Sequence, residues 1–294
     1  MRILNLGAGV QSTTIFLMAG QGLVPPIDYS IFADTQEEPQ AVYEHLEWLK
    51  SLDGYSPIIT ATAGKLGDHL LAFENPSRQK RFASIPAFTA PNHEERTEQF
   101  WNGGMVRRQC TKEYKIEVVG RCIRREILGL KPRQRMPKTI KITQIFGISL
   151  DERQRAKNIE IRFDTIPWAN PQFPLIAMGM TRDDCREWLN HRVPHEVPRS
   201  ACVFCPYKKY SEWLKTKQKP NEWERAVQID RGLRDPTKVV NRKLDQSLYL
   251  SRKCIPLEMV DIEGEAVKES ERERVRGEFP LVDLLECDDG MCGR

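Results

Sequence analysis

Cys202 and Cys205 are separated by two residues in the stretch PRSACVFCPYKKYSEW, and Cys287 and Cys292 lie in the closing ECDDGMC. Two thiols at the first spacing can offer two thiolates to one metal. A loop-borne pair ahead of a helix can also act as a redox couple, because a helix N-terminus lowers a thiol pKa, although no thioredoxin-like βαβ pattern surrounds this one. Cys110, in RRQCTKEYKI (107–116), is a further thiol, flanked by Arg107, Arg108 and Lys112. Those cations can neutralise phosphate or sulfate, the arginines by bidentate pairing. At the other end the chain opens MRILNLGAGVQSTT. The small-residue turn Gly7-Ala8-Gly9-Val10-Gln11-Ser12 lets backbone N–H groups approach a phosphate, with a helix dipole and the Ser12 hydroxyl behind them. No lysine follows the glycines, as a Walker A loop requires, and the glycine spacing of a dinucleotide fingerprint is missing.

The elements that would position these groups alternate. RILNL reads as a buried strand, followed by the turn and a helix from about Ser12 to Ala19. DYSIFA (28–33) is a second strand, leading through Asp34-Thr35 into the helix EPQAVYEHLEWLKSL, where Val42, Leu46 and Leu49 recur at helical spacing. SPIITA (56–61), KITQIFGIS (141–149) and IEIRFDTIP (159–167) are the further strand candidates. Strands alternating with helices at this spacing predict an α/β fold with a doubly wound parallel sheet. In such sheets ligands bind beyond the C-terminal strand ends, where the first turn, Asp34-Thr35 and the segment Gly147 to Arg155 would gather. The expected organisation is a nucleotide-binding domain over 1–180 with an irregular insertion at about 64–110. A helical, cysteine-bearing segment over 181–294 follows. Thr181 is the expected N-cap of the helix TRDDCREWLNHR, with acidic residues in its first turn.

Taken in order, these motifs resemble the phosphoadenosine phosphosulfate (PAPS) reductase-like family of the PP-loop ATP pyrophosphatases, within the adenine-nucleotide α-hydrolase (HUP) class. That family carries an SGGxDS loop after the first strand; Gly7 to Ser12 keep Gly9 and Ser12, with Gly7 for Ser, Ala8 for Gly and Gln11 for Asp. Its DTGxExP-like motif is resembled by Asp34-Thr35-Gln36-Glu37-Glu38-Pro39, with Gln36 for Gly and Pro39 one place earlier. RRQCTKEYKI is similar to its Cys-Thr…Lys segment, GISLDERQRAK (147–157) to its Gly…Asp-Glu…Arg strand end, and the CxxC and cysteine tail to those of phage and bacterial relatives.

The resemblance implies ATP or PAPS bound through Gly7, Ala8, Gly9, Val10, Gln11 and Ser12, with Asp34 and Thr35 at the ribose or at Mg2+. Gly147 and Arg155 complete the nucleotide set, Arg155 on an anion and Glu152 orienting it. Arg107, Arg108 and Lys112 would bind anions. Cys110, Cys202 and Cys205 would hold a 4Fe–4S cluster with one open iron; four thiolates would equally suit a structural zinc. Cys287 or Cys292 would be the nucleophile on a sulfonyl sulfur. The implied activity is sulfur transfer or sulfonucleotide reduction, with a sulfur donor or thiol reductant as partner and a small molecule, tRNA or DNA as acceptor. The alternative is a nucleotide-binding module without catalysis, serving a larger complex, with zinc on the CxxC.

Composition limits these readings without deciding among them. The 294 residues are 40% hydrophobic and 29% charged, with net charge +4. A sizeable core is expected, while the overall charge is too small to argue for nucleic-acid binding. No apolar run is long enough to cross a membrane and no signal-peptide layout opens the chain, so a cytoplasmic protein is expected. Eight cysteines in a reducing compartment are not a disulfide framework. Cys122, Cys185 and Cys254 read as small apolar residues in helices or strands, and the five histidines show no metal-ligand spacing. RCIRREILGLKPRQRMPKTIK (121–141) carries eight basic residues against one acidic. It lacks the aromatics that stack on bases and reads as a solvated helix and loop.

Overall fold

The computed structural model describes residues 1–72, 85–89, 104–235 and 247–278. The chain divides into two compact units, Met1–Ala63 with Lys112–Ala201 and Gly64–Thr111 with Cys202–Arg294.

The first unit is built on five parallel strands: β1 (Arg2–Leu6), β2 (Tyr29–Asp34), β3 (Ile58–Thr62), β5 (Ile142–Phe146) and β6 (Ala169–Gln172). They lie in the order β3-β2-β1-β5-β6. Leu4 stands beside Ser30 on one side and Ile145 on the other. Because successive side chains point to opposite faces, β1 sends Ile3 to one core and Leu4 and Leu6 to the other. A strand buried on both faces needs the near-continuous apolar run that RILNL supplies.

The core containing Leu4 is closed by α1 (Val10–Gly20), α2 (Gln40–Lys50) and α7 (Arg182–Leu189), through Phe16, Leu46 and Leu189. The core containing Ile3 is closed by α4 (Glu117–Cys122) and α5 (Arg153–Phe163), through Val118, Ile159 and Phe163. The fold is thus α/β, with helices on both faces of an all-parallel sheet. A π-helical turn flanks α4 on each side, Thr111–Ile116 and Ile123–Ile127. α7 starts as its sequence predicts: the Thr181 hydroxyl accepts from Asp184 N at 3.2 Å, and the Asp184 carboxylate accepts from Thr181 N at 2.7 Å.

The expected strand over 159–167 is instead the second half of α5. The alternation Ile-Glu-Ile-Arg-Phe suggests a period of two, but Ile159 and Phe163 share the buried helical face with Ala156 while Ile161 is 66% exposed. The strand at this edge is β6, A-N-P-Q, whose Pro171 is tolerated because β6 ends the sheet.

The second unit contains α3 (Leu66–Leu71), the short antiparallel pair β4 (Phe88–Thr89) and β7 (Leu248–Tyr249), α6 being the short Pro174–Ala177 helix of the first unit. Three charged helices follow: α8 (Tyr210–Lys217), α9 (Pro220–Gly232) and α10 (Ile262–Glu278). α8 is tied to α10 by Lys217–Glu263 and Lys209–Glu273, each at 2.9 Å. Asp230 on α9 is buried and accepts from Leu250 N at 2.9 Å and Leu257 N at 2.8 Å, pinning the chain around β7. No helix among the described residues is long and apolar enough to cross a membrane.

Candidate functional site

In this parallel sheet the strand order reverses beside β1, and the turns after β1 and β5 flank the place where such sheets bind ligands. The first turn is short because small residues allow it. Ala8 adopts a left-handed φ of 55°, a conformation normally left to glycine, and is itself fully buried. Gly9 N-caps α1, whose first amides, from Val10 to Ser12, have no carbonyl partners within the helix. The Ser12 hydroxyl folds back, accepting from Gly7 N at 3.2 Å and Gly9 N at 3.3 Å. Gly147, just past β5, lies so close that an added Cβ would sit 2.7 Å from Ser12 N. The stretch 198–200 also borders the turn, with Ser200 Cβ 3.6 Å from where a Gly9 Cβ would be.

The two turns are joined by side chains. Gln11 Nε2 donates to the Ser149 hydroxyl at 2.8 Å and to the Glu152 carboxylate. Glu152 in turn accepts from Arg155 Nη1 at 2.8 Å, the pairing expected from the sequence. Glu152 is nearly buried while Arg155 is 41% exposed, so the pair holds a guanidinium at the surface of the crevice by its inner end. A carboxylate at position 11, as in the resembled motif, would face Glu152 directly; the amide found there donates to it.

After β2, Gln36 takes a left-handed φ of 59°. Asp34 Oδ1 accepts from Gln36 N at 2.7 Å and from the Tyr43 hydroxyl at 2.9 Å. It therefore fastens its own turn to α2, whose N-cap is Pro39. Burial, followed by the Asp34 charge, raises the Tyr43 phenol far above its ordinary range. Thr35, Glu37 and Glu38 are buried in the same turn. Glu38 Oε1 is 3.4 Å from Lys115 Nζ and 3.5 Å from the Thr35 hydroxyl, while Glu38 Oε2 is buried with no hydrogen-bond partner among the described residues. Lys115 comes from the π-helical turn that also bears the exposed Lys112.

Behind the first turn, Thr13 on α1 meets His45 on α2 at 2.8 Å, and His45 Nδ1 meets His195 Nε2 at 2.8 Å. Burial, helped by a charge on His195, pushes His45 down to about 4. His45 is consequently a neutral hydrogen-bond bridge at neutral pH, stacked on Trp48.

In the second unit, Cys202 and Cys205 occupy one turn, closed by Cys205 N donating to Cys202 O at 3.0 Å. The buried Lys208 ammonium donates to Val203 O, inside that turn, at 2.8 Å and to the Thr216 hydroxyl at 2.6 Å. Burial pushes Lys208 down to about 8, against the pull of Cys205 and nearby carboxylates. The Arg108 guanidinium lies over the Tyr207 ring at 5.6 Å, and Tyr207 feels both Cys205 and Cys110. Arg107 is exposed. Among the described residues, no three Cys, His, Asp or Glu side chains converge as a set able to hold a metal ion. The turn presents two thiols, and Tyr207 is the neighbour that Cys205 shares with Cys110. Cys287 and Cys292 lie outside the described residues. Cys122 and Cys185 are buried in α4 and α7, and burial raises their thiols to about 12 and about 11. Cys254 is buried too, but on a turn with φ 51° rather than in a helix or strand.

Tyr43, Ser149, Lys115, Ser200 and the His45–His195 bridge are contributions the sequence did not announce. They come from several segments, Tyr43 and His45 both from α2, and only the fold brings them together. Comparison of the chain with family models, with curated proteins and with solved structures yields no match.

Proposed function

We propose that the first unit binds an adenine nucleotide, ATP or PAPS, in a doubly wound sheet of the adenine-nucleotide α-hydrolase class. The chain would then be a sulfur-transfer or sulfonucleotide-reducing enzyme of the PAPS reductase-like family, acting in the cytoplasm. One observation carries most weight. Ala8 and Gln36 are two of only four non-glycine residues with left-handed φ among the described residues. They stand where the resembled SGGxDS motif has its first glycine and the DTGxExP motif its only one, the second glycine of SGGxDS being kept as Gly9. Left-handed backbone at two positions where the motifs have glycine, in the turns after the adjacent strands β1 and β2, supports the resemblance.

On this reading the Val10 to Ser12 amides and the α1 dipole hold phosphate oxygens. Arg155 adds a guanidinium whose direction Glu152 fixes, and Glu38 Oε2 is an acceptor for a ribose hydroxyl. Asp34, at the end of β2, would help hold Mg2+, which would neutralise polyphosphate charge. With ATP, an acceptor oxygen or carbonyl attacks the α-phosphate, pyrophosphate leaves, and sulfide then displaces AMP from the adenylated acceptor. With PAPS, a Cys287 or Cys292 thiolate attacks the sulfonyl sulfur, the nucleotide leaves through its phosphate oxygen, and a thiol reductant releases sulfite as a disulfide forms. An iron–sulfur cluster or zinc on the cysteines belongs to this proposal, with Cys202 and Cys205 as two ligands.

Gln11 favours a second reading. An amide where the family has a carboxylate removes a charge from the phosphate loop and spends itself on Ser149 and Glu152. A site so closed suits binding without cleavage, in a module serving a larger complex. Calorimetric titration of the full chain with ATP plus Mg2+ and with PAPS, alongside iron and zinc analysis of anaerobically purified protein, separates these. Saturable binding of either nucleotide supports the proposal. Turnover with sulfide or a thiol reductant selects the enzyme, and binding of neither nucleotide overturns both readings.

A further inference from the structure

We infer that the segment 121–141, which leads from α4 to the N-terminal end of β5, is a docking surface for the phosphate backbone of a nucleic acid. The segment carries a net charge of +7 in a chain whose total is +4, so everything else sums to −3. It runs from α4 into the N-terminal end of β5, whereas Gly7 to Ser12 follow the C-terminal end of β1, parallel to it.

The structure changes how this run reads. Four of its cations are anchored on neutral backbone: Arg121 on Thr62 O at 2.9 Å, Arg125 on Leu130 O at 2.6 Å, Lys141 on Pro167 O at 2.7 Å, and Arg124 on Gln134 O. A carbonyl orients a cation and leaves its charge intact. Lys131, Arg133, Arg135 and Lys138 are exposed, and their side chains make no hydrogen bond or ion pair among the described residues. The segment's one acid, Glu126, is engaged by the Cys122 thiol. Among the described residues none of the eight cations forms an ion pair, and the segment keeps an excess of seven positive charges.

Cations two or three residues apart are separated by at most about 7–10 Å of chain, close to the Debye length of about 8 Å at physiological salt. They act on a partner together, and a single small anion would leave most of them unmatched. A phosphate backbone matches them, and contacts to it require no aromatic platform. The apolar residues of the segment are buried or half-buried, so it offers no exposed apolar face of the kind that seats an interfacial segment in a bilayer.

Fluorescence anisotropy of the full chain with a labelled 20-base-pair DNA duplex, and with an RNA duplex of the same length, tests this and tells the two sources of phosphate apart. Binding to at least one is expected, weakening steeply from 50 to 200 mM salt. The variant Arg133→Gln/Arg135→Gln/Lys138→Gln should bind at least tenfold more weakly at 100 mM salt, with a log–log salt slope shallower by about 2–3. The charge-preserving Arg133→Lys/Arg135→Lys variant should stay within about threefold of the parent. No binding to either duplex at 50 mM salt, unchanged binding by the glutamine variant, or equal binding to phosphatidylserine vesicles would overturn the inference. Titrating ATP and PAPS into the same glutamine variant keeps the two proposals separable, since the nucleotide crevice is untouched by these substitutions.

Discussion

The two ends of the parallel sheet treat polar side chains in opposite ways. At the C-terminal strand ends nearly every polar group is spent on a neighbour: Gln11 on Glu152, Glu152 on Arg155, Asp34 on Tyr43, Glu38 on Lys115. Along 121–141, which leads to the N-terminal end of β5, eight cations face carbonyls or solvent and form no ion pair among the described residues. Cross-linked turns fix backbone amides and one guanidinium in place, which suits recognition of a small ligand with defined geometry. Charge without a counter-ion draws a partner by field, which suits a polyanion of variable sequence. One sheet can therefore carry a shaped site and an electrostatic one without either disturbing the other.

That contrast is breakable, and the largest expected effect is on pH. His45 bridges Thr13 and His195 behind the cross-linked end, with its pKa lowered to about 4. Above an unfolded value of about 6.5 both states are neutral and stability is full. Between about 6.5 and about 4 the unfolded chain takes a proton that the folded one refuses, so stability falls as pH falls, by up to on the order of 3 kcal/mol. Urea unfolding across that range should show the slope, and His45→Gln should flatten it. Next, Gly147→Val places a Cβ within 3.0 Å of the Ser12 and Gln11 backbone, costing about 1–3 kcal/mol in denaturant unfolding. Glu152→Ala removes the partner of Gln11 and Arg155, and about 1–2 kcal/mol should be lost together with nucleotide affinity. Gln36→Gly should go the other way, raising stability by about 0.5–1 kcal/mol because glycine suits the left-handed turn. Last, Lys138→Gln at the open end should leave stability within about 0.5 kcal/mol of the parent; a larger loss would mean that this end is cross-linked too.

Much of the first unit was legible because its signals are local. β1, β2, β3 and β5 are apolar runs ended by small or polar turns, and the Thr181–Asp184 capping box announces α7 within four residues. β6 was not legible, since A-N-P-Q has little strand propensity and becomes a strand only by pairing with β5. The adjacent IEIRF has the alternation of a strand but belongs to a helix that turns Ile161 outward. At the candidate site, the Glu152–Arg155 pair was readable because it is three residues apart on one turn. The Gln11–Glu152 and His45–His195 contacts span 141 and 150 residues, and no spacing rule reaches that far. The left-handed backbone at Ala8 and Gln36 was hidden because those residue types do not advertise it.

The central claim is that a nucleotide's phosphates lie against the turn after β1. Hydrogen–deuterium exchange of the full chain, with and without saturating ATP plus Mg2+ or PAPS, tests it most directly. The expected result is slowed exchange in peptides covering 7–12, 34–39 and 147–152, with 128–141 unchanged. Protection absent from all three turns, or confined to the open end of the sheet, would contradict it.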